Sequence, residues 1–282
     1  MTTDPVWVKS ERQRERERVR RSRARRSASI ATASTIVFLA LVVWIVTNSP
    51  GWPRVQASFF SADAFVEALP DVVDGFLLNI KIFLIAEPLI LVVGLLVALA
   101  RGITTPAFFP IRALATLYTD VFRGVPTLLV IFLVGFGLPA LKLQGIPNDL
   151  VTLGVIALTL SYGAYVAEVL RAGIDSVHPS QLAAARSLGL SHGKAMRFVV
   201  LPQAVRRVGP PLLNDFVSLQ KDTALVATLG LPEALRQAQI YASGKFNYTS
   251  YLVAALLFVL LTIPMARFTD HLAERTRRRR GA

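Results

Sequence analysis

The sequence predicts an all-α integral membrane protein of about six transmembrane helices with both termini cytoplasmic. Two observations predict the class and a third predicts the orientation. The 282 residues are 53% hydrophobic and only 17% charged, where a soluble domain of this size carries about a quarter charged residues. The charges also cluster between apolar runs, at 30–46, 76–100, 125–141, 150–170, 210–231 and 248–266, each near the roughly 20 residues that a spanning helix needs. Lys and Arg fall unevenly across the resulting loops. With the N-terminus inside, the inside segments hold 10 in 1–29, 3 in 101–124, 6 in 171–209 and 6 in 267–282. The outside segments hold only Arg54, Lys142, Arg236 and Lys245, and a Lys/Arg excess marks cytoplasmic loops.

The elements follow in order. Residues 1–29 alternate Arg and Glu and then turn purely basic, as a cytoplasmic tail beside anionic lipid does. The net charge of +13 is therefore read as contact with a lipid bilayer, not with nucleic acid. The run at 30–47 resembles a signal peptide, but "TNSPGWP" follows it and offers no small-x-small cleavage site, so it reads as an uncleaved anchor. An extracytoplasmic linker, 48–74, leads to the second span, which carries Asn79, Lys81 and Glu87 followed by Pro88. Lys81 lies near the outer end and can snorkel.

Ionisable groups inside spans are costly and usually face a bundle interior or a water-filled path. In 150–170, Ser161, Tyr165 and Glu168 stand at i, i+4 and i+7 and share one helix face. They suit either interhelical hydrogen bonding or a path lining. In 210–231, Asn214, Ser218 and Lys221 share a face, and Asp222 and Thr223 follow directly. Lys221 falls near the middle of that stretch, where a charge needs a partner or water. Adjacent helix positions diverge, so Asp222 does not neutralise it along an unbroken helix. The final span leads to a second basic tail, 267–282.

Several chemistries are absent. There is no cysteine, which removes disulfides, thiolate metal sites and cysteine nucleophiles. No H-E-x-x-H or G-x-G-x-x-G occurs, and His178, His192 and His271 are scattered along the chain. "GLSHGKA", 189–195, has three residues between its glycines where a phosphate-binding loop has four, and Ala follows its Lys where Ser or Thr holds magnesium.

One stretch remains, "SQLAAARSLGLSHGKAMRFVVLP", 180–202. His178-Pro179-Ser180 offers a helix start with Pro in the first turn. Gly189 offers a left-handed stop and Ser191 a second N-cap. The small residues Ala183, Ala184 and Ala185 permit close approach to a partner surface, while Leu182, Leu188 and Leu190 offer anchors.

This stretch resembles the signature of permease subunits of ABC-type importers: E-A-A, three residues, G, nine residues, I-x-L-P. Here Ala183-Ala184-Ala185 precedes Gly189 by that spacing, and Val199, Val200, Leu201 and Pro202 complete it. Ala183 replaces the family's Glu and Val199 its Ile. "LPQAVRR" (201–207), "YTDVFRGVPTLL" (118–129) and "LQKDTALVATLG" (219–230) are similar to segments of the polar amino-acid branch. Together they cover roughly 75–266. The basic tails and added first helix resemble glutamate-importer permeases of actinobacteria.

The resemblance implies a five-helix permease domain over 75–266 plus an added anchor helix, in the cell membrane. It implies a translocation pathway formed with a second permease subunit, as hetero- or homodimer, and two cytoplasmic ATPase subunits that hold the ATP and magnesium. It also implies an extracytoplasmic amino-acid-binding protein. The chain itself would be no enzyme and hold no cofactor. The coupling loop 171–209 would dock on the ATPase through Ala183, Ala184, Ala185, Arg186, Leu188, Gly189, Leu190, Leu201 and Pro202. Ser161, Tyr165, Glu168, Asn214, Ser218, Lys221, Asp222 and Thr223 would line the substrate pathway, carrying glutamate or a related amino acid. The alternative is a self-sufficient secondary transporter or channel using Glu168, Lys221 and Asp222 as an ion relay.

Overall fold

The computed structural model describes residues 11–278, apart from 104, 143 and 146. Among the described residues every regular element is a helix. The chain divides into two units, Met1–Ala57 and Ser58–Ala282. The first holds α1 (Glu11–Thr47) and most of α2 (Trp52–Phe59). In α1 the charged leader and the apolar anchor form one continuous helix, and its apolar side chains from Ile36 to Val46 are exposed.

The second unit contains α3 (Ala62–Arg101), α4 (Phe109–Gly124), α5 (Thr127–Phe132), α6 (Leu138–Ala140), α7 (Leu150–Asp175), α8 (Pro179–Ser187), α9 (His192–Ala195), α10 (Leu201–Asp222), α11 (Ala234–Lys245) and α12 (Thr249–Arg278). Four stretches are long and apolar enough to cross a membrane: α1, Trp52–Arg101, α7 and the Thr249–Glu274 part of α12. A fifth crossing arises if Pro106–Gly124 and Thr127–Ala140, which meet at 109°, are one broken span.

Two elements depart from the expected spans. The run at 125–141 does not stand alone. Proline disfavours helical geometry in the residue before it, and Val125 is accordingly extended (φ −101°, ψ 130°) ahead of Pro126. The helix that follows is shorter than a crossing and turns sharply from α4. The run at 210–231 belongs to a longer, more polar helix. α10 begins at Leu201, carries Arg206, Arg207, Asp215, Lys221 and Asp222, and tightens into a 3₁₀ segment over Thr223–Leu229.

Prolines also explain two π-turns, Leu133–Gly137 and Met196–Val200. Each ends two residues before a proline, Pro139 and Pro202. Proline cannot donate to the carbonyl four residues back and its ring crowds that carbonyl; a widened turn absorbs both defects.

The core lies where α3, α5, α7 and α10 meet, around Ile82, Ile90, Ile131, Leu153, Leu158 and Leu219. In lipid, apolar surface gains little by leaving its surroundings, so close packing and internal hydrogen bonds hold such helices together. Glycines supply the close approach. A Cβ on Gly94 of α3 would collide with Val166 of α7. One on Gly75 would lie 2.6 Å from the backbone carbonyl carbon of Glu233.

Candidate functional site

Polar side chains meet in three places. The most enclosed centres on Asn79 of α3, whose Nδ2 donates to Glu233 Oε2 at 2.9 Å and to Thr223 Oγ1 at 3.2 Å. Its Oδ1 accepts the Ala234 backbone N–H at 3.1 Å. Glu233 is wholly buried yet well supplied, since it caps α11 by accepting the Leu235 and Arg236 amides at 3.1 and 2.7 Å. Burial pushes its carboxyl above the ordinary carboxylate range, against the Asn79 amide and the two backbone amides, which pull it down. Asn79 thus pins the turn between the 3₁₀ segment and α11 onto α3.

The second place lies between α3, α7 and α10. Tyr162 donates to Asp222 Oδ2 at 2.7 Å and stands 6.3 Å, ring to ring, from Tyr165. Ser161 is buried and pairs with Thr127 of α5 at 2.8 Å. Asp215 has a buried Oδ2 without a hydrogen-bond partner among the described residues, and Glu87 lies close enough to interact with it electrostatically. Asn214 is exposed and Ser218 half-buried. Lys221 does not sit inside the bundle. It stands exposed in the last turn of α10, with no hydrogen bond or ion pair among the described residues. Its position reflects how α10 ends, because the helix stops at Asp222 instead of running on to 231.

Glu168 belongs elsewhere again. It accepts from Arg101 at 2.6 Å and lies 3.5 Å from Arg123, tying the ends of α3, α4 and α7 together. The three residues of the i, i+4, i+7 face of α7 therefore have different neighbours. Ser161 meets α5, Tyr165 is 39% exposed and Glu168 meets arginines. Glu168, Lys221 and Asp222 have separate surroundings among the described residues. Tyr162, one position from Ser161, makes the contact with α10 that sequence reasoning missed. A tyrosine between Ser161 and Gly163 gave no signal of its own, whereas Glu87 stood out as a carboxylate in an apolar run; Asp215 was not singled out.

The third place is the loop after α7. His178 caps α8 by accepting the Ser180 N–H on Nδ1 at 3.2 Å, with Pro179 as the first helical residue. At the other end Gly189 is left-handed (φ +83°). Its N–H donates to the Arg186 carbonyl at 2.9 Å, and the Leu190 N–H to the Ala185 carbonyl at 3.3 Å. These are the paired bonds of a Schellman stop. Ser191 then caps α9 by accepting the Lys194 N–H at 3.4 Å.

The stop directs the side chains. Ala183, Ala184, Arg186 and Pro202 are exposed, and Leu188 is 85% exposed. Ala185 is buried, while Leu190 and Leu201 are half-buried. Leu182, expected as an outward anchor, packs inward against the small cluster of Val177, Val200 and Ala204. Arg207 of α10 donates to the Ser176 carbonyl, joining the loop's two ends. The loop is a capped helix–turn–helix that presents small side chains and one large apolar one outward.

Comparisons with known proteins place this arrangement. Residues 29–278 match the family model described as binding-protein-dependent transport system inner membrane component. That match takes in the apolar part of α1, which the motif resemblance left out. The arginine transport system permease protein ArtQ of Bacillus subtilis (strain 168) is 34% identical over 75% of this chain and 94% of its own length. The probable glutamine ABC transporter permease protein GlnP of the same organism is 35% identical over 66% of this chain and 84% of its own. Among solved structures, an amino acid ABC transporter with histidines superposes with a TM-score of 0.67 at 34% identity, over 74% of this chain and 96% of that one. The MetNI methionine ABC transporter in an inward-facing conformation shares the fold, with a TM-score of 0.60 at 16% identity. The chain is a multi-pass membrane protein that belongs to the family of binding-protein-dependent transport system inner membrane components.

Proposed function

We propose that this chain is a permease subunit of an ATP-driven importer for a polar amino acid, working beside a second permease subunit. Two ATPase subunits drive it from the cytoplasm and an extracytoplasmic binding protein delivers the substrate. The observation that carries this reading is the loop over 171–209. Its Schellman stop and two N-caps make it stiff, and it exposes Ala183, Ala184 and Leu188 to whatever docks there. A stiff element transmits a displacement where a flexible one dissipates it, so closure of the ATPases would move α7 and α10 as rigid bodies. The Lys/Arg distribution supports placing this loop and both termini in the cytoplasm.

The pathway runs between α3, α7 and α10, past Ser161, Tyr165, Ser218, Asp222 and Thr223. For the substrate, the actinobacterial resemblance favours glutamate or a related amino acid. A second reading rests on charge. Glu87, Asp215 and Asp222 put three carboxylates among these helices, against Lys221 at the end of α10. That balance favours a substrate with a cationic side chain.

The experiment is a mild-detergent pull-down that identifies co-purifying ATPase and second permease, followed by ATP hydrolysis measured with the binding protein and a panel of amino acids. Stimulation by glutamate alone supports the first substrate reading, and stimulation by arginine or lysine the second. Recovery of the chain with no ATPase contradicts the proposal.

A further inference from the structure

Beneath the loop lies a pocket of about 610 Å³, bounded by the ends of α3 and α7, by α8, and by the start of the α9–α10 segment. Its walls are apolar, with Leu99, Leu182 and Met196 among them. Nitrogen-bearing side chains line its rim: the guanidinium groups of Arg171 and Arg197 and the imidazoles of His178 and His192. The only carboxylate in the lining, Asp175, is paired with Arg171 at 3.0 Å. His178 already engages Ser180 through Nδ1. Arg197 and His192 are left, both exposed and neither ion-paired among the described residues, with the Arg197 guanidinium over the exposed Phe198 ring.

Height in the membrane selects the occupant. The apolar stretches of α3 and α7 end at Arg101 and Asp175, beside this pocket. It therefore lies where hydrocarbon gives way to headgroups, on the face where the chain concentrates its basic loops. A ligand that fits must have an apolar body and an anionic end and must be present at that depth. We propose that this pocket seats an acidic phospholipid, its headgroup phosphate against Arg197 and His192 and the first part of its acyl chains against Leu99, Leu182 and Met196. The lipid braces α8 against α3 and α7. The inference rests on the chain being embedded in a bilayer and not on its substrate or its ATPase.

The absence of cysteine makes the test clean. The full chain carrying Leu182→Cys is placed in nanodiscs of phosphatidylcholine, with or without phosphatidylglycerol, and the rate of maleimide labelling is measured. A basic residue near an anionic surface favours the anionic lipid by roughly fivefold. With Arg197 supplying that charge and His192 a hydrogen-bond donor, phosphatidylglycerol should slow labelling by roughly fivefold. Arg197→Gln with His192→Gln should abolish that protection, whereas neutralising Arg20, Arg23, Arg25 and Arg26 in the tail should leave it. Met196→Cys provides a second reporter should the first variant misfold. Three results overturn the proposal: equal labelling in both lipids, protection that survives the Arg197 and His192 changes, or shielding of the cysteine by the added ATPase in phosphatidylcholine alone. The last result would assign the pocket to a protein partner.

Discussion

Asn79 satisfies a hydroxyl, a carboxylate and a backbone amide that lie 144 to 155 residues away along the chain. Removing it strands the buried Ala234 N–H, at about 1–3 kcal/mol, and leaves Glu233 Oε2 with the Leu235 amide alone. Asn79→Ala should therefore lower the melting temperature in detergent well beyond an exposed control such as Asn214→Ala. Gly75→Ala should do so too, since its Cβ would press on the Glu233 backbone and overpacking costs about 1–3 kcal/mol. Unchanged melting in both would mean that this contact does not hold the α11 turn in place. Lys221 is the opposite case. Exposed and unpaired among the described residues, it should tolerate Lys221→Met within about 0.5 kcal/mol. A loss of transport with assembly intact would then report on the pathway, and a loss of assembly would reveal an ion pair with a partner subunit. The sequence marked Asn79 as a polar residue in an apolar helix, but its partner Glu233 sits in a turn between elements, and nothing local links the two. Where α10 ends was not legible either, because hydropathy averages over a helix and does not say where it stops.

The loop's elements were the most legible, because caps and stops are written in residues only one to three positions apart. Pro179, Gly189 and Ser191 hold the helix start, stop and restart that their chemistry implies. The bend at Val125-Pro126 was equally local, yet an apolar run of span-like length masked it. The packing direction of Leu182 was not legible, since three leucines of one loop differ only in what lies beneath them. Gly189→Pro would force φ to about −65° where +83° is required and would remove the N–H that donates to Arg186. Ala184→Glu would instead put bulk and charge on the exposed face and leave the loop's own bonds alone. Both should leave ATP hydrolysis in the assembled complex while uptake falls at least about tenfold, the scale on which a lost 1.4 kcal/mol of coupling reads out. Normal uptake in Ala184→Glu would remove the docking role from this face.

At the scale of the whole molecule, the all-helical class followed from the apolar runs and the family from motif spacing. The helix count did not follow so directly, because one expected span is part of a bent pair and another falls in the longer, more polar α10. The position of Ala183 bears on the assembly. The family's usual Glu at this place would carry a negative charge near a helix N-terminus, where it is stabilised. Here Ala183 puts an exposed methyl at that position; in the proposed docking the charge is missing, so either the contact is weaker or a companion permease that keeps the Glu carries more of the coupling. The central claim is that this chain conducts only when a partner's ATP cycle drives it. The direct measurement is uptake of labelled amino acid into proteoliposomes that hold either the chain alone or the assembled complex, with and without enclosed ATP. The account predicts uptake only by the complex and only with ATP. ATP-independent uptake by the chain alone would contradict it and would restore the self-sufficient transporter.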